Sequence, residues 1–279
     1  MGASNECKAF RVRAGFRFKT EGLWKGLTMR TPAFLALVAT VSMSACGTNA
    51  VPAMPGQSAS SPQVQTAALA PHALAPINLR SAALFAILAG STVTSTGQTR
   101  IGGNIGIFPG TARTGFPPAL ITQGAFHSAD GMAKQAEADL TTAYNAAMGL
   151  VNNPILVAGN LGGRTLKPGL YKSTSGLAVS SGDLTLDGGG NPNAVWVFQM
   201  ASTFNMTPGR KIILTNGAKP RNIFWAVGTS ATLGTTCSFY GTLMAHQSIS
   251  MATGTVMTGR ALARVGAVTM QDNTIVKSS

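Results

Sequence analysis

Carboxylates are the first candidates for chemistry in this chain, which has only eight Asp and Glu residues in 279. Asp183 and Asp187 flank Thr185 in an alternating segment, so a strand there would carry both carboxylates on one face, as a glycoside hydrolase requires. His127 and His246 have no matching partner for a nucleophile and base pair. The remaining acidic residues beyond residue 46 are Asp130, Glu137, Asp139 and Asp272. We therefore expect no enzyme activity, with Asp183 and Asp187 as the best acid pair available.

Cysteine chemistry is also poorly supported. The three cysteines, Cys7, Cys46 and Cys237, do not have the spacing of a zinc site, and no CxxC pair occurs. Cys237 lies between Thr236 and Ser238 in a strand-like pattern, which predicts a buried thiol that packs as a small apolar side chain. We expect no metal, no cofactor and no small-molecule substrate.

Hydroxyl side chains show a more ordered pattern. Residues 248–253 read SISMAT, and this alternation is typical of a strand with one polar face. The pattern recurs in the segments before and after it, which indicates stacked coils of a solenoid. Each coil would bury two residues against its neighbours. The aligned inward residues are Ala231 and Leu233, Ile249 and Met251, and Val268 and Met270.

The outward residues of the same alignment form two columns of small polar side chains. Stacked strands lie about 4.7–4.9 Å apart and alternate residues of a strand about 6.5–7 Å apart. The predicted members are Thr92, Thr94, Thr203, Asn205, Ser230, Thr232, Ser248, Ser250 and Thr269. Gly176, Ala178 and Ala267 interrupt the columns. A solvated strand face usually carries Lys and Glu as well, so an uncharged face favours a binding function over a plain solvent-facing surface.

The charge distribution limits the partners. Charged residues make up 10% of the chain, against a usual ~25%. The net charge is +13, with seven basic and two acidic residues in 1–46 and fourteen basic and six acidic residues after them. No basic run interleaved with aromatic residues occurs in the later part, so we expect no nucleic-acid binding.

The first 75 residues predict export and a tether. Residues 29–46 have Arg30, a short apolar run and the small pair Ser44-Ala45 before Cys46, which is typical of a secretory signal. The end of this segment resembles a bacterial lipobox, which implies lipid attachment at Cys46 and a place at the cell envelope. Without lipidation the protein would be secreted. Residues 1–28 are a doubtful extension, residues 47–75 an Ala/Ser/Pro-rich disordered linker, and residues 76–279 the folded domain.

One segment predicts a helix among many short strands. In residues 128–151, apolar side chains recur at three-to-four spacing, and Ser128 or Asp130 can cap the start, directly after His127. Asn152, Asn153 and Pro154 would end the helix. The predicted apolar face consists of Met132, Ala136, Leu140, Ala143 or Tyr144, Ala147 and Val151.

The segments LKPGLYK, GDLTLDGGG, AVWVFQM, NIFWAVGTSATLGT and GTLMAHQSISM, with the earlier GGNIGIFPG and TGFPPA, occur in an order that resembles the microbial ice-binding-like domain. The resemblance covers residues 76–279. It implies a mainly β fold, an irregular right-handed β-solenoid of triangular cross-section. One long helix would pack alongside, and N-terminal strands would dock beside C-terminal coils.

The resemblance also implies an ice-binding, antifreeze function in cold adaptation, with the ice crystal surface as partner. Ice-binding members of the family use motifs such as Thr-x-Thr on a flat solenoid face. Thr92-Val93-Thr94, Thr203-Phe204-Asn205, Ser230-Ala231-Thr232 and Ser248-Ile249-Ser250 are the nearest matches. Residues 111–114, TART, fit a related motif, but their Gly/Pro-rich surroundings predict a loop. The alternative is a cell-surface adhesin or envelope scaffold that keeps the fold without ice activity.

Overall fold

A computed structural model describes residues 74–278 of the chain. The predictions for residues 1–28, for the signal segment 29–46 with Cys46, and for linker residues 47–73 lie outside the described residues. Within the described range, Leu74 and Ile77 already pack against apolar side chains of the folded domain.

Residues 74–278 form short strands, one α-helix and two 3₁₀ helices, and all pairings between these strands are parallel. The helix α1 is Gly131–Met148, and the 3₁₀ helices are Arg80–Leu84 and Pro220–Asn222. The strands are β1 (Phe85–Ala89), β2 (Thr92–Thr96), β3 (Arg100–Gly102), β4 (Asn104–Ile107), β5 (Ala112–Thr114), β6 (Leu120–Gln123), β7 (Phe126–Ser128), β8 (Ile155–Leu156), β9 (Gly159–Asn160), β10 (Thr165–Leu166), β11 (Gly169–Ser173), β12 (Leu177–Val179), β13 (Leu184–Asp187), β14 (Trp196–Met200), β15 (Phe204–Met206), β16 (Ile212–Thr215), β17 (Ile223–Val227), β18 (Ala231–Leu233), β19 (Ser238–Ala245), β20 (Ile249–Met251), β21 (Val256–Ala263), β22 (Val268–Gln271) and β23 (Thr274–Val276).

Successive strands visit three faces in turn, which is the geometry of a β-solenoid. The first, the helix face, contains β8, β11, β14, β17, the second halves of β19 and β21, then β1, β4 and β7. The second, the hydroxyl face, has the order β5-β2-β22-β20-β18-β15-β12-β9. The third, the cleft face, contains β10, β13, β16, the first halves of β19 and β21, then β23, β3 and β6.

β19 and β21 pass from the cleft face to the helix face without a break, and a glycine marks the bend in each. Gly241 and Gly259 are register partners and have φ values of 112° and 157°. A Cβ atom at Gly259 would overlap the carbonyl oxygen of Gly241. The stacked coils therefore require glycine at this corner.

The interior is built by alternation, because every second side chain of each strand points inward. Leu233 pairs with Met251, and Met251 with Met270, and all three side chains are buried in one column. The predicted register of these coils is confirmed. On the helix face the inward column begins with stacked rings, with Phe198 lying 5.2 Å from Tyr171 and 3.9 Å from Trp225.

The strands at the start of the domain continue the stack formed by its last strands. β1 lies between β21 and β4, β2 pairs with β22, and β3 with β23. The docking implied by the family resemblance is therefore present. Arg260 stabilises the contact between the start and the end of the domain. Its buried guanidinium donates to the carbonyl oxygens of Ala83 and Ser278 and to the Ser278 hydroxyl.

α1 covers the helix face. Asp130 is the N-cap, and its carboxylate accepts from the N–H of Ala133 at 2.8 Å. The buried stripe contains Ala133, Ala136, Leu140, Ala143, Tyr144 and Ala147. The helix contacts β1, β4, β7, β14 and β17, all on the helix face, so the hydroxyl face stays clear of it.

The helix differs from the prediction at both ends. Ser128 belongs to β7, and the helix ends at Met148, before the predicted Asn152-to-Pro154 stop. Met132 and Val151 are exposed, because Met132 lies off the buried stripe and Val151 lies beyond the helix. In residues 74–278, no helix has both the length and the hydropathy that a bilayer span needs.

Candidate functional site

The hydroxyl face carries an outward column at the centre of its strands, which we name the second column. The register is continuous over all eight strands, with none of the shifts seen on the other two faces. In spatial order the second column is Thr114, Thr94, Thr269, Ser250, Thr232, Asn205, Ala178 and Asn160. At about 4.7–4.9 Å per strand, it extends over roughly 33 Å.

The first column lies two residues earlier on seven of these strands, all except β9. It consists of Ala112, Thr92, Ala267, Ser248, Ser230, Thr203 and Gly176. Two of these side chains accept hydrogen bonds from the backbone of the neighbouring strand. The Ser248 N–H donates to Ser230 Oγ at 3.3 Å, and the Ala267 N–H donates to Ser248 Oγ at 3.2 Å. The nine residues predicted for the two columns thus lie on one face, in the predicted register.

Most hydroxyls of the second column remain free for solvent. Within residues 74–278, the side chains of Thr94, Thr232, Ser250 and Thr269 form no hydrogen bond to protein. Asn205 donates only to Thr203 Oγ1, at 3.3 Å. A rigid backbone therefore displays a row of methyl and hydroxyl groups to water, and neither column contains a charged residue.

Thr114 and Asn160, at the two ends of the second column, are the polar members that the sequence reasoning missed. The Gly/Pro-rich surroundings of residues 111–114 predicted a loop, but Ala112–Thr114 is strand β5, with Thr114 beside Thr94. Glycine and proline here belong to the turns between solenoid faces. The TART motif, one coil length after Thr94, was the available signal.

Several positions without a free polar group weaken the columns. Gly176 and Ala178 lie in the predicted register and leave a gap beside Thr203 and Asn205. Asn160 is the last residue of the second column, but its side chain hydrogen-bonds to neighbouring protein groups and is not free for water. Its Oδ1 accepts from the N–H groups of Gly162 and Ser180, and its Nδ2 donates to Ser181 Oγ.

The best acid pair has structural partners. Asp187 accepts from Lys167 Nζ at 2.6 Å, from the Gly189 N–H and from Asn216, and these contacts lower its pKa to about 2. Asp183 accepts from the Lys211 N–H at 2.9 Å. Both carboxylates therefore hold turns of the cleft face, and the low pKa of Asp187 is the opposite of what a general acid needs.

Each histidine contacts a charged side chain, but in neither case is that side chain a hydroxyl or thiol nucleophile. His127 lies in β7, before the helix, and its Nδ1 is 2.7 Å from the Asp130 carboxylate. His246 Nδ1 lies 3.2 Å from Arg264. The hydroxyl nearest His127 in sequence, Ser128, donates to a backbone carbonyl oxygen. Among residues 74–278, no group of three His, Cys, Asp or Glu side chains is placed to hold a metal ion.

Two further titratable groups are buried. Cys237 is fully buried, its Sγ donates to the Thr207 carbonyl oxygen, and burial raises the pKa of its thiol. This is the inert packing role expected from its sequence context. Glu137 on α1 is 7% exposed, and both its carboxylate oxygens lack a hydrogen-bond partner in the described structure. Burial raises its pKa to about 8, and the charge of Arg264 opposes this only in part.

An all-parallel solenoid with one flanking helix and a regular hydroxyl face defines the class of protein. A family model described as ice-binding-like matches residues 87–276. This chain belongs to the ice-binding-like family.

Relatives and solved structures agree with this assignment. An ice-binding protein from Nostoc sp. (strain HG1) is 46% identical over 198 residues, covering 71% of this chain and 72% of its own length. One from Flavobacterium frigoris (strain PS1) is 34% identical, covering 80% and 84%. The crystal structure of an ice-binding protein from an Antarctic biological consortium has a TM-score of 0.72 at 53% identity, covering 74% of this chain and 93% of that one.

Proposed function

We propose that this protein is an antifreeze protein that adsorbs to ice through the hydroxyl face and inhibits ice growth or recrystallisation. One observation carries the proposal. Eight strands in unbroken register present two uncharged columns of small polar groups, clear of the helix that covers another face. The relatives named as ice-binding proteins support the same function.

The mechanism is adsorption. Methyl groups of the threonines restrict nearby water, and free hydroxyls hydrogen-bond to it, so a water layer with lattice-like spacing forms over the columns. This layer freezes onto the crystal, and growth then bulges between bound molecules. A backbone fixed by the solenoid matters because ordering each loose side chain would cost about 0.5–1.5 kcal/mol. The proposal assigns no catalytic step and no cofactor.

Serine replaces threonine at Ser230, Ser248 and Ser250. Each replacement removes a methyl group from the face, so we expect weaker adsorption than an all-threonine face would give. The gap at Gly176 and Ala178 should also weaken adsorption.

Two measurements test the function. Labelled protein should be enriched in a growing ice hemisphere, and recrystallisation should be inhibited at micromolar concentration, with heat-unfolded protein as the control. Absence of both effects in folded protein would instead favour an envelope scaffold or adhesin on the same fold.

We also propose export with lipid attachment at Cys46, because an apolar run ends in Ser44-Ala45-Cys46. An anchored protein would hold a cell to ice or keep crystals away from its envelope. Mass spectrometry of the mature N-terminus should find a lipidated Cys46. An unmodified chain that still starts at Met1 or Met29 would contradict export, and cleavage without lipid would make the protein secreted.

A further inference from the structure

The cleft face departs from regular stacking at one place. β16 and β19 are joined by a single bridge, Lys211 to Ser238, and share no further ladder pairs. The 3₁₀ helix Pro220–Asn222 packs against β19 and β21 here. Two clefts result, of about 440 Å³ and about 390 Å³, and Pro220 lines both of them.

The larger cleft has an apolar wall with a cation beside it. Its lining contains Ile213, Leu214, Pro220 and Tyr240, and Lys211 is the one charged residue of that lining. Ile213 is 40% exposed, although it sits in the middle of a strand. The Tyr240 hydroxyl makes no hydrogen bond within residues 74–278. A concave, largely apolar wall with a few polar groups is the usual form of a ligand site.

The smaller cleft is strongly basic. Lys219, Arg221 and Lys277 line it, together with Thr258 and Val276. Among residues 74–278, no Asp or Glu side chain lines either cleft.

The four cations of the two clefts are Lys211, Lys219, Arg221 and Lys277. In the described part of the chain, their side chains form no ion pair and no hydrogen bond. Lys167 and Arg210 on the same face, by contrast, lie beside Asp187 and Asp183. Uncompensated charge in a concave, low-dielectric site attracts anions more strongly than the same charge on a convex surface.

We propose that the two clefts bind an acidic polysaccharide, a linear polymer whose sugar rings carry carboxylates. A sugar ring has an apolar face that fits the wall of Ile213 and Tyr240, and a hydroxyl edge for the Tyr240 phenol. Its carboxylates fit the cations, and a linear chain can pass Pro220 from one cleft to the other. A flat anionic bilayer has no extension that would fill the clefts.

This site lies on a different face from the hydroxyl columns, so it adds to the proposed ice binding and does not depend on it. A protein with both sites would connect ice to a carboxylate-bearing matrix.

Binding of the full-length protein to alginate, with uncharged dextran as the neutral polymer, tests the proposal by calorimetry. The cleft variant Lys211→Gln/Lys277→Gln should bind alginate about tenfold more weakly, since each exposed charge contact contributes modestly. The matched control is Lys134→Gln/Lys172→Gln, which removes the same charge from α1 and β11. Equal losses in the two variants would show general attraction to a basic protein and overturn the site.

Ile213→Glu gives a second test, because it places a carboxylate in the larger cleft at an exposed position. We expect loss of alginate binding with an unchanged melting temperature. Phosphatidylglycerol vesicles are the competing ligand, and cleft-dependent binding to them without binding to alginate would overturn the proposal in favour of a lipid surface. Recrystallisation inhibition should be unchanged in all these variants, so failure of either proposal is recognised separately.

Discussion

The hydroxyl face and the cleft face are built on the same coils, yet they carry different side chains. On the cleft face, the outward residues along one row are Lys211, Ser238, Val256, Thr274, Arg100 and Leu120. This row mixes charged, polar and large apolar groups, as solvent-facing strands commonly do. The hydroxyl face has no charge and no large apolar side chain in either column. The solenoid itself therefore does not impose the uncharged columns, which supports a functional reason for them.

The two faces also differ in continuity. Strand pairing is unbroken across the hydroxyl face, whereas the cleft face separates between β16 and β19. A crystalline partner needs a regular surface, and a flexible polymer needs concave sites. The contrast thus leads to different expected responses to substitution.

The largest expected effect is that of Ser250→Tyr, which places a bulky group in the middle of the second column. Protrusion should hold ice away from the neighbouring side chains, and losing a central contact region should weaken ice-growth inhibition at least about tenfold. The melting temperature should stay within about 2 °C, because the position is exposed.

The matched control for this change is Thr274→Tyr, an exposed outward strand position on the cleft face. It should keep full activity. Ser180 would be a poorer control, because it follows β12 on the hydroxyl face and its N–H donates to Asn160. Full activity in Ser250→Tyr would place the ice-binding surface elsewhere.

An intermediate effect is expected from Glu137 on the helix face, and it concerns the stability of the fold and not ice binding. The folded-state pKa of Glu137 is about 8, above its ordinary value of 4.5, so the folded protein holds a proton that the unfolded chain releases between these values. The bound proton stabilises the folded state fully below about pH 4.5, and this stabilisation is lost as the pH rises through about 8. The free energy of unfolding should therefore fall over this range, by at least about 1 kcal/mol.

Glu137→Gln should remove this dependence and raise Tm at pH 9 by roughly 2–4 °C or more. Urea unfolding from pH 5 to 9 measures it for both proteins. Ice-growth inhibition by the wild type should stay constant over the same range, because the columns contain no titratable group. An unchanged slope in Glu137→Gln would contradict the assignment.

The smallest expected effect comes from filling the gap in the hydroxyl face. Ala178→Thr adds a hydroxyl and a methyl group beside Asn205, and one added hydrogen bond should raise ice-growth inhibition by about twofold. Gly176→Thr should instead destabilise the fold, since its Cβ atom would lie 2.8 Å from the Thr203 carbonyl oxygen. Recrystallisation assays and thermal melts of the two variants distinguish these outcomes. A stable, more active Gly176→Thr would contradict the packing argument.

The sequence predicted the columns well because two local rules act together there. Side chains alternate along a strand, and a coil repeat aligns each strand with the next, so Thr232, Ser250 and Thr269 could be placed from spacing alone. The docking of β1–β3 on the last coils came only from family resemblance. Such pairing depends on contacts between distant parts of the chain, such as Arg260 with Ala83.

Other features depended on three-dimensional packing that no local pattern encodes. The two clefts arise because Pro220–Asn222 packs on strands that follow it in the chain. The exposure of Met132 reflects where α1 meets the helix face, which helical spacing alone does not define. Thr114 was missed because turn residues on both sides of a three-residue strand resemble a loop.

The closure of β1–β3 onto β21–β23 also determines when the hydroxyl face can assemble. The Gln98 N–H donates to Asp272, 174 residues later, and Thr94 pairs with Thr269. The threonines nearest the start of the domain therefore have no neighbouring strand on one side until almost the whole chain has been synthesised. Contacts so distant in sequence form slowly. Late folding of this kind is compatible with the proposed export, because a chain that has not yet folded can be threaded through a secretion channel. The hydroxyl face would then be completed only after threading.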